Sequence, residues 1–320
     1  MKIVFLEAQS LGEDIDLSVF SRLGEVQIYQ VDTPQENAAR IQDADIVVMN
    51  KIPMNEALLK EAKSLKLICV TATGTDCIDV DYCTKRGIAV SNVVAYSTES
   101  VVQHTFALLF YLWEKSRFYD DYVKDGEYAK AVGFGCYPEK FRELAGKTWG
   151  IIGLGNIGRR VAQIAQCFGC QVQYYSTSGQ NTNPDFRRVE LPELLADSDI
   201  ISIHAPLNAK TRGLIHKETL RQMKSTAYLL NLGRGGIIVD EDLTQALEQG
   251  VIAAAGLDVL NQEPLRAGNP LNRIKDSRKL YITPHIAWAT VESRQRCVKE
   301  VYCNIESFQK GTVRNQVKSR

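Results

Sequence analysis

The chain has 320 residues, of which 45% are apolar and 24% are charged, a composition typical of a folded protein with about two domains. Lys plus Arg and Asp plus Glu both total 38, so a net charge of zero excludes recognition of nucleic acid or membranes through a bulk field. No apolar run reaches the ~18 residues that span a bilayer. Because residues 1–7 form a predicted strand rather than a signal peptide, we expect a cytoplasmic protein.

The first hundred residues alternate between short β-rich apolar runs and polar segments with helical periodicity. Strands are predicted at 3–6, 26–29, 46–49, 67–70 and 88–90, and helices at 55–64 and 80–86. This alternation is typical of a parallel α/β domain. An apolar helical pattern over 98–118 predicts a helix that leads into a second domain.

The following segment, 119–147, has no clear periodicity and is rich in aromatic residues, so we expect it to pack against a neighbouring element or subunit. The alternation then resumes. Strands are predicted at 148–152, 171–175, 199–204, 227–231, 253–257 and 280–283, and helices at 191–197, 216–223, 240–250 and 292–309. A second parallel α/β domain is therefore predicted.

Eight cysteines are scattered along the chain. Cys167 and Cys170 have the spacing of a redox or zinc pair, but they flank the end of a predicted helix, with Gly169 as its left-handed cap. No second pair follows at zinc-finger spacing. We predict free thiols and no metal site.

A glycine motif stands between the strand at 148–152 and a helical run. Gly153 allows a tight turn, Gly155 lets the backbone approach a phosphate, and Gly158 lets the helix pack on the strand. The first helical residues, Asn156 and Ile157, offer amide N–H groups to an anion. This context predicts a dinucleotide pyrophosphate site.

The end of the second strand of this domain decides between NAD and NADP. An acid there binds the ribose 2′-hydroxyl in most NAD-binding domains. Ser176 occupies that position, and no arginine or lysine follows before Arg187. Rejection of a 2′-phosphate and strong attraction for it are both missing, so NAD is slightly favoured and NADP stays open.

Three polar sequences follow predicted strands, where ligands of open α/β sheets bind. Arg234 lies among glycines, and its planar guanidinium suits a carboxylate. Asp258 and Glu263 follow the next strand and are equally well explained as solvated loop acids. His285 follows a strand and a proline, as an acid–base residue could.

The other three histidines are assigned elsewhere. His104 lies in an apolar helix and is expected to be a hydrogen-bonded helical residue. His204 ends a strand beside the dinucleotide site and is expected to line it. His216 begins a polar helix and is expected to be solvated.

Taken together and in this order, the motifs resemble the D-isomer-specific 2-hydroxyacid dehydrogenases over essentially the whole chain. The resemblance is carried by 153–158, 204–207, 231–235, 258–264 and 283–285. Within that family, residues 96–105 and 283–288 look most like glycerate dehydrogenases, also called hydroxypyruvate reductases.

The resemblance implies an α/β fold of two doubly wound parallel-sheet domains. A Rossmann NAD(P)-binding domain, 99–288, is inserted into a flavodoxin-like substrate domain made of 1–98 and 289–320. The late position of the glycine motif is explained by this insertion. The family habit also implies a homodimer, with the aromatic segment as its contact.

Roles for single residues follow from the same resemblance. Arg234 would bind the 2-oxo acid, His285 would donate a proton to its carbonyl oxygen, and Glu263 would pair with His285. A neighbouring carboxylate favours the imidazolium that such a donor needs. The implied substrate contacts are Thr73, Gly74, Thr75, Tyr96, Arg234 and Trp288. The implied cofactor contacts are Gly153, Gly155, Asn156, Ile157, Gly158, Ser176, His204, Pro206, Thr211, Leu232, Gly233, Asp258 and His285.

The substrate is inferred by exclusion. The loops at 71–79 and 91–100 lack basic residues, which argues against a phosphorylated acid. Hydroxypyruvate or glyoxylate, reduced to D-glycerate or glycolate, is the best match, while D-lactate-type or aromatic keto-acid substrates remain open. A nucleotide-sensing corepressor is an alternative of another class, which the complete set of Arg234, Glu263 and His285 disfavours.

Overall fold

The computed structural model describes residues 1–31 and 33–318. It divides into two compact units, the first formed by Met1–Ser97 and Ala289–Arg320 and the second by Thr98–Trp288. Among the described residues, none of the helices combines the length and the apolar character needed to cross a membrane.

The first unit is built on a five-stranded parallel sheet. Its strands are β1 (Lys2–Phe5), β2 (Glu25–Ile28), β3 (Ile46–Met49), β4 (Leu67–Val70) and β5 (Ala89–Ser91), in the spatial order β2-β1-β3-β4-β5. Its helices are α1 (Pro34–Ile41), α2 (Glu56–Leu59), α3 (Val80–Lys85) and α10 (Val291–Gln309). This order is that of a flavodoxin-like doubly wound sheet.

Burial on both faces explains the composition of its central strands. Every residue of β3 and β4 is buried, and both strands are uninterrupted apolar runs, as expected when helices cover both faces of a parallel sheet. Side-chain caps start the flanking helices: Asn55 accepts a hydrogen bond from Leu58 N, Asp79 from Tyr82 N, and Thr290 from Ser293 N.

The second unit contains a seven-stranded parallel sheet. Its strands are β6 (Thr148–Ile152), β7 (Gln171–Tyr175), β8 (Arg187–Arg188), β9 (Ile200–Ile203), β10 (Tyr228–Asn231), β11 (Ala254–Leu257) and β12 (Leu280–Ile282). Its helices are α4 (Thr98–Trp113), α5 (Ser116–Lys124), α6 (Asn156–Cys167), α7 (Leu191–Asp197), α8 (Lys217–Leu220) and α9 (Asp240–Glu248).

The strand order in this sheet is β12-β11-β10-β9-β6-β7-β8. The chain starts at β6 in the middle, builds outward to β8, and then returns to build β9 to β12 on the other side. The order therefore reverses between β6 and β9, which is the switch point at which Rossmann folds bind dinucleotides. Two apolar clusters cover the faces of the sheet, and one contains the fully buried Trp149 and Tyr174.

The observed elements correct several expectations. Of the helix expected over 55–64, only α2 (Glu56–Leu59) forms. The helix expected over 98–118 ends at Trp113, because Lys115 adopts a left-handed conformation with φ of 52°. The segment 119–147, expected to be irregular, begins with the end of α5. The short edge strand β8 and the helix α1 were not predicted; β8 consists of two arginines and has no apolar period.

Candidate active site

Three loops meet at the carboxyl edge of neighbouring strands in the second unit. Arg234 follows β10, Asp258 and Glu263 follow β11, and His285 follows β12. Backbone hydrogen bonds join the loops in sequence: Asp258 N donates to Asn231 O at 3.0 Å, and His285 N donates to Asp258 O at 2.8 Å. The sheet therefore brings together residues that are up to 51 positions apart in the chain (285 − 234).

Close backbone approach explains two glycines in the first of these loops. A Cβ atom on Gly235 would lie 1.8 Å from the carbonyl carbon of Leu260, so the loop after β10 packs directly on the loop after β11. A Cβ atom on Gly233 would lie 2.8 Å from the carbonyl oxygen of Ala205. Neither position has room for a side chain, which is why glycine is needed for the loops to meet.

His285 and Glu263 form a direct pair. Nδ1 of His285 lies 2.7 Å from Oε2 of Glu263, and the two side chains are 24% and 35% exposed. The other carboxylate oxygen, Oε1, accepts a hydrogen bond from Leu260 N at 2.9 Å, which fixes the orientation of the acid. His285 also has a φ of 57°, a left-handed conformation that is rare outside glycine. The backbone conformation of His285 and its contact with Glu263 therefore both fix the position of the ring.

The carboxylate of Asp258 holds the His285 loop through hydrogen bonds. This carboxylate is buried and accepts hydrogen bonds from Thr283 Oγ1 (2.7 Å), Ile286 N (2.9 Å) and Ala287 N (3.0 Å). These donors flank His285 on both sides. The structure thus shows a supporting role for Asp258, whereas the cofactor contact expected of it stays a prediction.

His104 joins the same network from helix α4. Its Nε2 atom lies 2.9 Å from Thr283 Oγ1 and 3.5 Å from an oxygen of Asp258. Burial lowers the pKa of His104, and the charge of Asp258 opposes that effect. His104 is hydrogen-bonded within a helix, as the sequence predicts.

Arg234 is positioned by its own loop. Its backbone carbonyl accepts a hydrogen bond from Asn231 Nδ2 at 3.0 Å, and Gly233 N donates to the other side-chain atom of that residue, Oδ1, at 3.1 Å. The guanidinium Nη1 donates to Gly233 O at 2.9 Å. Leu232 is buried beside it. Asn231 was not among the predicted site residues, although it begins the motif that identified Arg234.

The glycine motif forms a tight turn between β6 and α6. Gly153 has a φ of 94°, and a Cβ atom there would lie 2.9 Å from the backbone of Ala205. A Cβ atom on Gly158 would lie 2.3 Å from the carbonyl oxygen of Gly153. By contrast, the Cβ position of Gly155, which caps α6, points into open space. The first-turn residues Asn156 and Ile157 follow it. This geometry fits a dinucleotide pyrophosphate at the start of α6.

Residues after β7 form a compact loop next to this turn. Ser176 is buried, and its hydroxyl accepts a hydrogen bond from Asn181 N at 3.2 Å. Asn181 Nδ2 donates to the carbonyl oxygen of Leu154, within the glycine turn, at 2.5 Å. Asn181 was missed by the sequence analysis because it lies beyond the position at which the ribose-binding acid is expected.

The loop after β9 carries the remaining expected cofactor contacts. Both ring nitrogens of His204 are buried and, among the described residues, have no hydrogen-bond partner. Burial lowers the pKa of His204 to about 3, so the imidazole is neutral. Thr211 is buried, and its hydroxyl donates to Pro206 O at 2.7 Å, which closes the loop. A ring with two unsatisfied nitrogens beside the glycine turn fits a site built for a polar ligand.

Other expected substrate residues lie in the first unit, which is described by itself. Thr73, Gly74 and Thr75 follow β4; the Thr73 hydroxyl donates to Val93 O at 2.7 Å. Tyr96 is buried, and its carbonyl oxygen accepts a hydrogen bond from Arg296 Nε at 2.8 Å. Trp288 belongs to the second unit, where it packs against the apolar cluster that contains Trp149. Their substrate contacts stay predictions.

Comparison with known proteins gives the same family as the sequence motifs. Residues 106–287 match a family model described as D-isomer specific 2-hydroxyacid dehydrogenase, NAD binding domain. The chain is 38% identical over 323 residues to a hydroxypyruvate reductase of Blautia hydrogenotrophica, with 99% of each chain covered. It is 36% identical over 319 residues to a glycerate dehydrogenase of Methylorubrum extorquens, again with 99% of each covered.

Solved structures agree with this assignment. A D-lactate dehydrogenase from Aquifex aeolicus, complexed with NAD and lactic acid, is 29% identical with a TM-score of 0.85, covering 97% of this chain and 96% of that one. An acyclic imino acid reductase in complex with NADPH and D-arginine is 29% identical with a TM-score of 0.88, covering 99% and 100%. The predicted pair of doubly wound domains is confirmed. The chain belongs to the D-isomer-specific 2-hydroxyacid dehydrogenases, a family of NAD(P)-dependent oxidoreductases.

Proposed function

We propose that the protein reduces a small 2-oxo acid, hydroxypyruvate or glyoxylate, to the D-2-hydroxy acid. The observation that carries this proposal is the pair formed by His285 Nδ1 and Glu263 Oε2 at 2.7 Å. The two residues follow β12 and β11, and β11 is the neighbour of β10, whose loop presents Arg234. Reduction of the keto group of a 2-oxo acid requires an acid–base residue, here held by a carboxylate, and a cationic group such as a guanidinium to bind the substrate.

Each of the three residues has a distinct task in this proposal. Arg234 binds the carboxylate and carbonyl oxygen of the substrate through its planar fork of N–H donors. Glu263 holds the Nδ1–H of His285, so that Nε2 faces the substrate and gives up its proton to the developing alkoxide. In the reverse direction the neutral ring accepts that proton from the hydroxyl group. Thr73, Gly74, Thr75, Tyr96 and Trp288 complete the proposed substrate contacts.

The nucleotide would be held by the glycine turn and the loops after β7 and β9. When bound, the nicotinamide supplies or accepts the hydride. The backbone at Gly155 leaves space for the pyrophosphate, and the buried nitrogens of His204 remain available for hydrogen bonds. Residues 99–288 would form this domain, with 1–98 and 289–320 as the substrate domain.

The proposed substrates are supported by the names of three similar proteins. Relatives 38% and 36% identical over nearly the whole chain are a hydroxypyruvate reductase and a glycerate dehydrogenase. A glyoxylate reductase of Aeropyrum pernix is 39% identical over 263 residues, 80% of this chain and 77% of that protein. All three names describe reduction of small, unphosphorylated acids or the reverse reaction.

A panel of keto acids tests the proposal. The initial rate of NADH or NADPH oxidation is measured with hydroxypyruvate, glyoxylate, pyruvate, phenylpyruvate and 3-phosphohydroxypyruvate. We expect the highest kcat/KM for hydroxypyruvate or glyoxylate. A higher value for pyruvate or phenylpyruvate would instead support the second candidate, a D-lactate-type or aromatic keto-acid dehydrogenase, for which the D-lactate dehydrogenase neighbour is the supporting observation. Nucleotide binding without turnover of any keto acid would favour a corepressor-like sensor.

We also propose that the protein is a homodimer. Within the second unit, Val132 and Phe134 are almost fully exposed, Tyr137 is 75% exposed, and helix α5 buries none of its residues. Exposed apolar clusters of this kind mark protein interfaces, and a second copy of this chain is the proposed partner. Light scattering should give twice the chain mass of 35.8 kDa, whereas a mass near 35.8 kDa contradicts the dimer.

A cytoplasmic location is proposed as well. All eight cysteines are free, and those at 69, 83, 170 and 297 are buried with raised pKa values caused by burial. Free thiols persist in reducing compartments. Fractionation of the source cells, with detection of the protein by antibody, tests this location.

A further inference from the structure

The loop after β7 is tied firmly to the glycine turn. Asn181 donates its side-chain amide to Leu154 O, and its backbone N–H to the hydroxyl of Ser176. Tyr174 Oη donates to the carbonyl oxygen of Asn181 at 3.2 Å. In Rossmann folds the pyrophosphate lies at the glycine turn and the adenine ribose at the end of the next strand. The carbonyl of Asn181 is therefore held near the ribose end of the site.

Arg188 reaches this loop from the neighbouring strand. β8 runs parallel to β7, with Arg188 paired to Tyr174, two positions before Ser176. Its guanidinium Nη1 lies 3.5 Å from Asn181 O. A guanidinium has five N–H donors, so one long contact to a carbonyl leaves most of them for another acceptor. The side chain is exposed and can reach a ligand.

Among the described residues, the positive charge of Arg188 is not compensated by a nearby carboxylate. Its neighbour Arg187 forms an ion pair with Glu193, whereas Arg188 has no carboxylate within ion-pair distance in the described part of the chain. No acid occurs between Ser176 and Pro184. Asp185 is the nearest acid in the loop, and its backbone N–H bonds to Asn183 Oδ1 at 2.8 Å.

We propose that Arg188 binds the 2′-phosphate of NADP(H), so that the protein accepts NADP(H) in addition to NAD(H). This inference rests on the proposed function only in requiring that the second unit binds a dinucleotide. An acid at the end of the second strand would repel the phosphate, but Ser176 stands there, and a guanidinium favours a phosphate through charge-assisted hydrogen bonds. The sequence alone does not indicate this residue, because only the pairing of β8 with β7 in the folded chain places Arg188 beside the loop.

Equilibrium binding without a keto acid tests the proposal. Titration calorimetry is carried out with NADPH, NADH, adenosine 2′,5′-bisphosphate and adenosine 5′-monophosphate. For Arg188→Gln we expect Kd to rise about tenfold or more for NADPH and the bisphosphate, the usual loss for one charged hydrogen-bonding group. NADH and the monophosphate should bind as they do to the wild type, which also shows that the variant is folded.

Arg187→Gln is the matched control, because it removes the same charge one position earlier, where Glu193 already compensates it. We expect this variant to keep wild-type affinity for all four ligands. The proposal is overturned if Arg188→Gln weakens NADPH and NADH equally, or if both arginine variants behave alike. A wild-type protein that binds NADH but not the bisphosphate overturns this proposal alone, whereas one that binds no dinucleotide contradicts the proposed function as well.

Discussion

The buried carboxylate of Asp258 holds the backbone on both sides of His285, through Thr283 Oγ1 before it and Ile286 N and Ala287 N after it. A buried acid outside the proposed catalytic set of Arg234, Glu263 and His285 thus helps to determine where the expected acid–base residue stands. We expect Asp258→Asn to lower the free energy of unfolding by about 1–3 kcal/mol, because an amide leaves one of these donors unpaired. Urea denaturation measures it, with Asp43→Asn in the exposed Lys2 pair as the control that changes little. An unchanged midpoint for Asp258→Asn contradicts the supporting role.

Replacing His285 removes the proposed proton donor. We expect His285→Ala to lower kcat for hydroxypyruvate at least about a hundredfold, the lower range for loss of a general acid. NADH affinity, measured by fluorescence titration, serves as the control for folding. A variant that keeps wild-type kcat shows that another group donates the proton.

Arg234→Lys tests the carboxylate contact while retaining the positive charge. Lysine lacks the planar pair of donors, so we expect kcat/KM for the keto acid to fall by roughly tenfold or more. NADH binding should be unaffected, since the change concerns the acid. If kcat/KM for the keto acid is unchanged, Arg234 does not bind the substrate in two-point fashion.

Substitutions at two glycines with different surroundings distinguish an effect on dinucleotide binding from an effect on stability. Gly155→Ala adds a methyl group to open space, so we expect wild-type stability but at least roughly tenfold weaker dinucleotide binding. Gly235→Ala places a methyl group 1.8 Å from Leu260 C, so we expect a lower urea midpoint. Equal NADH affinity in Gly155→Ala and the wild type would contradict a pyrophosphate site at this turn.

Acid sensitivity follows from the buried imidazole of His204. Its pKa is about 3 in the folded protein and ~6.5 in an unfolded chain. Between these two pH values only the unfolded chain takes up the proton. The contribution of His204 to the free energy of unfolding is therefore fully present above pH ~6.5 and falls as the pH decreases. Between pH 7.5 and 5.5 we expect a loss of about 1.4 kcal/mol from this group. Urea unfolding of His204→Asn should show a correspondingly smaller loss, and equal losses in both proteins would contradict this effect.

Most of the fold could be predicted from the sequence because buried parallel strands are continuous apolar runs. β3 and β4 begin and end where their apolar runs do, and β6 and β7 have the predicted bounds although both include polar residues. β8 could not be found this way, since two arginines have no apolar period and the strand exists only through pairing with β7. The same holds for the break at Lys115, where neither glycine nor proline marks the end of α4.

The candidate site was predictable where residues follow strands directly. Arg234, Glu263 and His285 were found because strand ends are recognisable and meet at one edge of the sheet. Asn181 and Asn231 were missed, since their importance comes from hydrogen bonds to the glycine turn and to the arginine loop. Such contacts depend on the folded backbone and leave no spacing pattern in the chain.

Thr283 has a single hydroxyl proton, and it is donated to Asp258. The contact between this hydroxyl and His104 Nε2 must therefore use a proton on the histidine ring. The tautomer of His104 in helix α4 is thereby linked to the placement of His285, which lies 181 positions later in the chain (285 − 104). In a mutational scan, changes at position 104 should consequently group with changes in the active-site loop, despite the distance between them along the chain.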